Sequence, residues 1–143
     1  MKILIMGLPG SGKTTLARAL SPLLSAVHWN ADDVRANINK DLGFSIDDRI
    51  EQARRMGWLC DQVKKAGHIA VADFVCPTTL TRAAFAPDYL VFMDTIDQGR
   101  YADTNALFER PDNNDINFRI TKFDAESYAN EIATAILKER KHG

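Results

Sequence analysis

Eight consecutive residues carry the strongest chemical signal in the sequence. They match the pattern G-x-x-x-x-G-K-[ST] and read Gly7-Leu8-Pro9-Gly10-Ser11-Gly12-Lys13-Thr14. Glycines let the backbone curl with its N–H groups pointing inward, and a helix start behind them adds partial positive charge. Such a loop suits the phosphates of ATP, with Lys13 reaching the β- and γ-phosphates and the Thr14 hydroxyl binding Mg²⁺. The alternative is a plain glycine turn, against which the rarity of the complete pattern argues.

Further motifs follow this loop. They are Thr15, Asp32-Asp33-Val34-Arg35, Asp41-Leu42-Gly43-Phe44-Ser45 with Asp48-Arg49, and Ala66-Gly67 before Phe74-Val75-Cys76-Pro77. Over about residues 1–94, the order and spacing of these motifs resemble those of adenylylsulfate kinases. The resemblance implies a fold related to the nucleotide monophosphate kinases. It also implies MgATP-dependent phosphorylation of the 3'-hydroxyl of adenosine 5'-phosphosulfate, a small nucleotide of sulfate assimilation.

The resemblance also suggests which residues surround the acceptor. Asp32 is the candidate acid that orients or deprotonates the attacking hydroxyl, and Arg35 is a candidate acceptor-binding cation. Arg49 and Gln52 lie three residues apart and so share a helix face, and the matching family residues, Arg and Asn, hold the acceptor. Phe44 matches the aromatic residue that stacks on the acceptor adenine.

The sequence departs from the family pattern close to these acceptor residues. Asn30-Ala31-Asp32-Asp33 replaces the family's Asp-Gly-Asp-Asn, which shifts one carboxylate. Val75-Cys76 precedes a proline where the family has Ile-Ser, so we expect these two residues to contact the acceptor, Cys76 through its backbone. Asp73 replaces a small residue, and a carboxylate at the end of a strand can bind Mg²⁺ through water.

The segment between Asp97 and Asn114 is predicted to be a mobile lid. The family's basic lid stretch is not recognisable there, and the available replacements are Arg100, Tyr101, Phe108 and Arg110. The shortened lid and Asp73 keep two other functions open. One is a kinase of the same fold acting on another nucleoside, nucleotide, hydroxylated small molecule or hydroxymethylated nucleic-acid base. The other is a nucleotide-binding regulatory module that has lost turnover.

These residues require a scaffold, and the chain alternates apolar runs with helical patterns. The alternation predicts an α/β fold with a parallel sheet of about five strands and helices on both faces. The predicted strands are approximately residues 2–6, 27–30, 69–75, 89–93 and 116–120. The predicted helices are approximately residues 13–24, 31–40, 46–66 and 124–138, the third capped by Ser45 with Asp48.

Composition and charge limit the kinds of protein and of binding partner that remain possible. With 143 residues, of which 45% are apolar, the chain is expected to form one kinase domain over residues 1–143. Its 18 basic and 19 acidic residues form no basic arm, so neither nucleic acid nor a membrane is expected as a partner. The apolar start ends at Gly7, too early for a signal peptide. A small nucleotide is the expected partner, and a homodimer stays open.

Cysteine and histidine usage is sparse. Cys60 and Cys76 lack paired metal-ligand spacing, so the reducing cytoplasm fits better than a disulfide framework. His28 and His68 have no second ligand at metal spacing, which favours structural roles for both residues.

Overall fold

The computed structural model describes residues 1–142, in which strands and helices alternate. The strands are β1 Lys2–Met6, β2 Val27–Asn30, β3 Ala70–Asp73, β4 Tyr89–Met93 and β5 Phe118–Ile120. The helices are α1 Lys13–Leu23, α2 Ala31–Asn37, α3 Ile46–Lys65, α4 Thr79–Phe85, α5 Ala102–Leu107 and α6 Ala125–His142, and one 3-10 turn covers Asn113–Asp115. Within residues 1–142, no helix combines the length and the apolarity that crossing a bilayer requires.

All strand pairs in the sheet are parallel, and the strand order is β2-β3-β1-β4-β5. This arrangement confirms the predicted α/β class with five strands. The strand that precedes the glycine-rich loop therefore lies at the centre of the sheet. Because parallel strands end at the same edge, the loops that follow β1, β2, β3 and β4 meet there, and ligands of such sheets bind at this edge.

The two faces of the sheet bury different sets of helices. Residues of β1, β3 and β4 alternate between the faces, because successive side chains of a strand point to opposite sides. The face under α1 and α6 buries Ile3, Ile5, Leu16, Leu20, Val71, Val91, Ile132 and Ile136. The face under α2, α3 and α4 buries Leu4, Met6, Met56, Cys60, Ala72, Phe85 and Phe92. These two apolar layers fix the sheet, and with it the edge at which the loops after β1 to β4 meet.

Helices α3 and α4 pack with their backbones in close approach. A β-carbon at Gly57 would lie 2.8 Å from the carbonyl oxygen of Phe85, so this position of α3 tolerates only glycine without movement. The same carbonyl oxygen accepts a hydrogen bond of 2.7 Å from the buried Lys2 ammonium. Strand β1 and helices α3 and α4 thus meet at one backbone atom.

Three predicted elements are too long. Helix α2 ends at Asn37 rather than near residue 40, because the N–H groups of Ile38 and Asn39 both turn back to the Val34 carbonyl. Strand β3 covers Ala70–Asp73 rather than residues 69–75, and Cys76 has a left-handed φ of 47°. Strand β5 begins at Phe118 rather than at residue 116.

Two helices were not predicted from the sequence. Helix α4 begins after Thr78, whose hydroxyl accepts from the Thr81 N–H while the Thr81 hydroxyl accepts from the Thr78 N–H. The usual sequence pattern of such a capping box has Glu or Gln where this chain has Thr81, so the helix start was not recognised from the sequence. Helix α5 lies inside the predicted lid. The predicted Ser45 cap of α3 is confirmed, because the Asp48 N–H donates to the Ser45 hydroxyl at 3.1 Å.

Candidate functional site

The glycine-rich loop spans residues 7–12, between the central strand β1 and helix α1. A β-carbon on Gly7 would lie 2.7 Å from the Ser11 hydroxyl oxygen and 2.8 Å from the Met93 carbonyl oxygen, so the tight turn requires glycine there. Gly12, which precedes α1, has a left-handed φ of 99°. The buried Ser11 hydroxyl has no hydrogen-bond partner within residues 1–142. The loop and the helix start behind it leave donors for an anion.

Helix α1 starts differently from the neighbouring helices. Side chains of Asn30, Ser45 and Thr78 cap α2, α3 and α4, whereas within the described chain no side chain caps α1 and its first turn contains no acid. The first N–H groups of a helix need partners, and phosphate oxygens satisfy them well. The start of α1 is therefore suited to a phosphate group.

Lys13 folds back over this loop. Its ammonium donates a 3.0 Å hydrogen bond to the Leu8 carbonyl oxygen. Burial lowers the pKa of Lys13 to about 8, although the nearby carboxylates of Asp73 and Asp32 act in the opposite direction. A buried cation with one neutral partner gains from a bound anion.

Four polar side chains meet where β2 and β3 end beside α1. The Asp73 carboxylate, only 2% exposed, accepts from the Thr14 hydroxyl at 2.8 Å and from the Asn30 amide at 3.0 Å. The Nε2 atom of His28 forms a short hydrogen bond to the other carboxylate oxygen of Asp73. The Thr14 hydroxyl and the Asp73 carboxylate are hard oxygen donors of the kind that Mg²⁺ prefers, so they fit the ion implied by the loop.

Asp32 and Asp33 occupy the first turn of α2. The Asn30 side chain caps this helix by accepting from the Asp33 N–H at 3.0 Å. Both carboxylates are exposed, and Asp32 lines the same cavity as Lys13 and Thr14. The structure therefore brings the predicted acid close to the predicted phosphate site.

The opposite wall of the cavity carries two cations and an aromatic ring. The Arg35 guanidinium lies 4.4 Å from the centre of the Phe44 ring, and that of Arg49 lies 5.5 Å from it. Arg35 also donates to the Gly43 carbonyl at 2.7 Å, which ties α2 to the loop that presents Phe44. Burial and the neighbouring Arg49 lower the pKa of Arg35. Phe44 itself is 65% exposed.

Gln52 lies at the cavity wall, but its amide is engaged inside the protein. Its Oε1 accepts a 2.7 Å hydrogen bond from Asn39, and its Nε2 donates to the Ala31 carbonyl at 3.4 Å. The side chain is buried, at 2% exposure. Gln52 therefore links α2 and α3, and its predicted contact with the acceptor stays a prediction.

Val75 and Cys76 also line the cavity. The Cys76 side chain is fully buried, and burial raises the pKa of its thiol to about 12. The thiol is therefore protonated at neutral pH and unsuited to nucleophilic chemistry. The predicted contact of the Cys76 backbone with the acceptor stays a prediction.

The lid segment contacts both walls. Gly99 packs on Pro9 of the glycine-rich loop, where an added β-carbon would lie 3.1 Å from the Pro9 carbonyl oxygen. The Asn105 amide bonds to both the N–H and the carbonyl of Gly99. On the other side, Arg49 donates to the Thr104 hydroxyl at 3.3 Å. The lid thus bridges the loop and α3.

Of the four lid residues singled out from the sequence, Arg100 and Tyr101 line the cavity. Phe108 stacks instead on Phe92, with 6.2 Å between ring centres. Arg110 forms an ion pair with Asp94 at 2.7 Å. These two side chains therefore support the base of the lid.

A single cavity of about 1050 Å³ is lined by residues of the glycine-rich loop, of the acceptor wall and of the lid. Two contributions to this site were not predicted from the sequence. His28 does not line the cavity itself but bonds to Asp73, which does, and it shares a face of β2 with Asn30, a period-2 relation that the sequence contains. Phe123, which is exposed and would lie 3.4 Å from a β-carbon on Gly12, follows the last strand without any motif.

Comparison with known proteins gives a family match. The sequence model of the adenylylsulphate kinase family matches residues 1–125. An adenylyl-sulfate kinase of Marinobacter nauticus is 42% identical over 81 residues, which cover 53% of this chain and 41% of that protein. The chain spans less than half the length of the first curated relatives that it matches.

Solved structures share the fold. The Mycobacterium tuberculosis APS kinase CysC, solved in complex with AMPPNP and APS, matches with a TM-score of 0.81 at 24% identity, over 94% of this chain and 96% of that one. A hexameric APS kinase from Thiobacillus denitrificans matches with a TM-score of 0.75 at 24% identity, over 96% of this chain and 29% of that one.

Proposed function

The chain belongs to the adenylylsulphate kinase family, and on that premise we propose that it transfers the γ-phosphoryl group of ATP to the 3'-hydroxyl of adenosine 5'-phosphosulfate. One observation carries the proposal. A single cavity joins the phosphate loop around Lys13 to a wall formed by Arg35, Phe44 and Arg49. Phosphoryl transfer requires donor and acceptor to be held together in this way, because catalysis of this reaction is mainly positioning and electrostatic stabilisation.

The nucleotide half of the reaction is assigned to residues 7–15. Backbone N–H groups of the loop and of the α1 start bind the phosphates, and Lys13 stabilises the charge that develops on the transferred group. Its present partner, the Leu8 carbonyl, is neutral and is readily exchanged for a phosphate oxygen. Phe123, beside Gly12, offers a surface for the adenine ring.

Mg²⁺ would be held by the Thr14 hydroxyl directly and by Asp73 through water. The ion, when bound, neutralises charge on the β- and γ-phosphates. Asp73 is suited to this role because it is ionisable, buried and already bonded to the Thr14 hydroxyl.

The acceptor half is assigned to the opposite wall. Arg35 and Arg49 bind the phosphosulfate anion, and Phe44 stacks on the adenine. Gln52, Val75 and Cys76 complete this wall.

Asp32 supplies the acid–base step. It accepts the proton of the 3'-hydroxyl while the oxygen forms a bond to the γ-phosphorus. The bond from that phosphorus to the bridging oxygen breaks, and ADP leaves.

A kinase with another acceptor is the second candidate. It is favoured by the Gln52 amide, which bonds to Asn39 and Ala31 where the family uses an asparagine to hold the acceptor. The shortened lid agrees with this candidate. A third candidate, a nucleotide-binding module without turnover, would bind ATP and release no ADP with any acceptor.

The deciding experiment is a mass-spectrometric product assay with MgATP and adenosine 5'-phosphosulfate. Formation of the 3'-phosphorylated product at an enzyme-like rate, reduced on the order of 10³-fold in Lys13→Ala, is the expected result. ATP binding without this product would contradict the proposal, and ADP release with a panel of nucleosides and hydroxylated small molecules would then separate the other two candidates.

The proposal also covers the domain organisation, the cellular compartment and the oligomeric state. Residues 1–143 act as one kinase domain, and the reaction takes place in the reducing cytoplasm, which suits the two buried thiols. A homodimer is compatible with the hexamer of the Thiobacillus denitrificans relative. Size-exclusion chromatography with light scattering measures this state.

A further inference from the structure

His28 contacts the site without belonging to any motif of the sequence. It lies on β2, the edge strand of the sheet, two residues before Asn30 and on the same face. Its side chain is 19% exposed, and its Nε2 atom bonds to the Asp73 carboxylate. The side chain thus reaches from the sheet edge to the end of β3.

The hydrogen bonds of Asp73 divide between its two oxygens. Oδ1 accepts from the Thr14 hydroxyl at 2.8 Å and from the Asn30 amide at 3.0 Å. Oδ2 bonds to His28 and has no other partner among the side chains of residues 1–142. A buried carboxylate is stable when both of its oxygens have hydrogen-bond partners. His28 supplies the partner of Oδ2.

This division fixes the plane of the carboxylate. A carboxylate held on one oxygen can rotate about its Cβ–Cγ bond, because this torsion is broad. A second donor on the other oxygen removes that freedom. His28 therefore determines where Oδ1 points, and Oδ1 is the oxygen beside the Thr14 hydroxyl.

We propose that His28 is a positioning residue for the metal–nucleotide complex, acting through Asp73. The inference rests on the MgATP dependence of the proposed function and goes beyond it, because no sequence motif assigns a role to His28. Partners behind a metal-binding group commonly set its affinity, and their loss typically weakens metal binding about 10- to 100-fold.

A purely structural role makes a different prediction. If His28 only attached β2 to the sheet, its replacement would lower thermal stability and leave metal affinity unchanged in the folded protein. Metal affinity therefore separates the two roles, and it can be measured without any acceptor or turnover.

The test is a Mn²⁺ titration of the purified full chain, held in excess over ADP so that little free ADP chelates the ion, followed by electron paramagnetic resonance of free Mn²⁺. We expect His28→Leu to weaken Mn²⁺ binding about tenfold or more, while ADP affinity in EDTA changes less than about twofold. His28→Gln, whose amide can reach the Oδ2 of Asp73, is expected to stay within about threefold of the unmodified protein. His68→Leu, at an exposed histidine, is the matched control.

If His28→Leu fails to fold, His28→Asn takes its place. Its amide ends short of the Asp73 carboxylate and is expected to lose Mn²⁺ affinity like the leucine variant. Unchanged Mn²⁺ affinity in the folded leucine or asparagine variant would overturn the inference, as would equal losses in the glutamine variant. If Mn²⁺–ADP binds but adenosine 5'-phosphosulfate is not phosphorylated, the proposed function fails while the same titration still decides the role of His28.

Discussion

On the nucleotide side of the cavity, Asp73 is buried in a network of hydrogen-bonded side chains, whereas on the acceptor side the Phe44 ring faces solvent. Asp73 is 2% exposed and accepts from three side chains, while Phe44 is 65% exposed and contacts two guanidinium groups through its ring. Buried hydrogen-bond networks hold one geometry, and exposed cation–π contacts are worth only about 0.5–1 kcal/mol each.

The difference indicates that the phosphate side is preorganised and that the acceptor side adapts to its ligand. Substitutions on the phosphate side should therefore lower kcat. Substitutions at the exposed ring should act on KM for the acceptor.

The largest effect is expected from Lys13→Ala. The variant removes the loop cation that the motif places beside the γ-phosphoryl group. Because that cation stabilises the charge that develops during transfer, kcat should fall on the order of 10³-fold. Steady-state ADP release measures it, with Lys40→Ala at an exposed lysine as control. A kcat within about twofold of that of the unmodified protein would show that Lys13 is not needed for phosphoryl transfer.

Asp32→Asn is expected to lower kcat about 10²-fold, because a positioned general base typically contributes at least this much. The amide keeps the shape of the side chain but cannot accept the hydroxyl proton. Asp33→Asn, in the same exposed helix turn, is the matched control and should keep its activity. Equal losses in the two variants would point to helix charge rather than proton transfer.

Phe44→Ala tests the acceptor side directly. Loss of base stacking should raise KM for the acceptor about tenfold and leave kcat and thermal stability nearly unchanged, because the ring is exposed. Phe44→Trp keeps an aromatic surface and should restore KM. A fall in kcat or melting temperature instead would mean that this wall is as preorganised as the other.

The pH dependence of nucleotide binding is the smallest expected effect. Lys13 has a pKa of about 8 in the free protein, and bound phosphates favour its charged form. ADP binding should therefore take up a proton above pH 8, and affinity should fall about fourfold between pH 7 and pH 8.5. Calorimetry without metal, in buffers of different ionisation enthalpy, measures both quantities. Proton release on binding would contradict the assigned environment of Lys13.

The fold was predictable where local pattern and global topology agree. The alternation of apolar runs with helical spacing gave the five strands, and the loop motif identified the strand that precedes the nucleotide site. Element ends depended on long-range contacts. Residues 74–75 continue the apolar pattern of β3, yet the strand ends at Asp73, because its neighbour β2 ends at Asn30, which pairs with Asp73, and continues directly as helix α2.

The candidate site was predictable in the parts that carry motifs. Residues 7–14 needed only the spacing of the loop motif, whereas Thr15 and Asp32 were selected through the resemblance to adenylylsulfate kinases. The engagement of Gln52 by Asn39 depends on how the chain folds after α2, and spacing cannot indicate it. The contact of His28 with Asp73 joins residues 45 apart along the chain. Only the parallel pairing of β2 with β3 brings these residues together.

The central place of β1 also sets the order in which the chain can assemble. Its neighbours are β3 and β4, which lie 64 or more residues later, so β1 gains no sheet partner until Ala70–Asp73 has been synthesised. Closing such long loops before any contact forms makes pairing slow. During synthesis on the ribosome, the apolar residues 2–6 and the glycine-rich loop that follows them therefore have no sheet partner until β3 has been made. The part of the nucleotide site that is translated first therefore acquires its sheet partners only after β3 and then β4 have been synthesised.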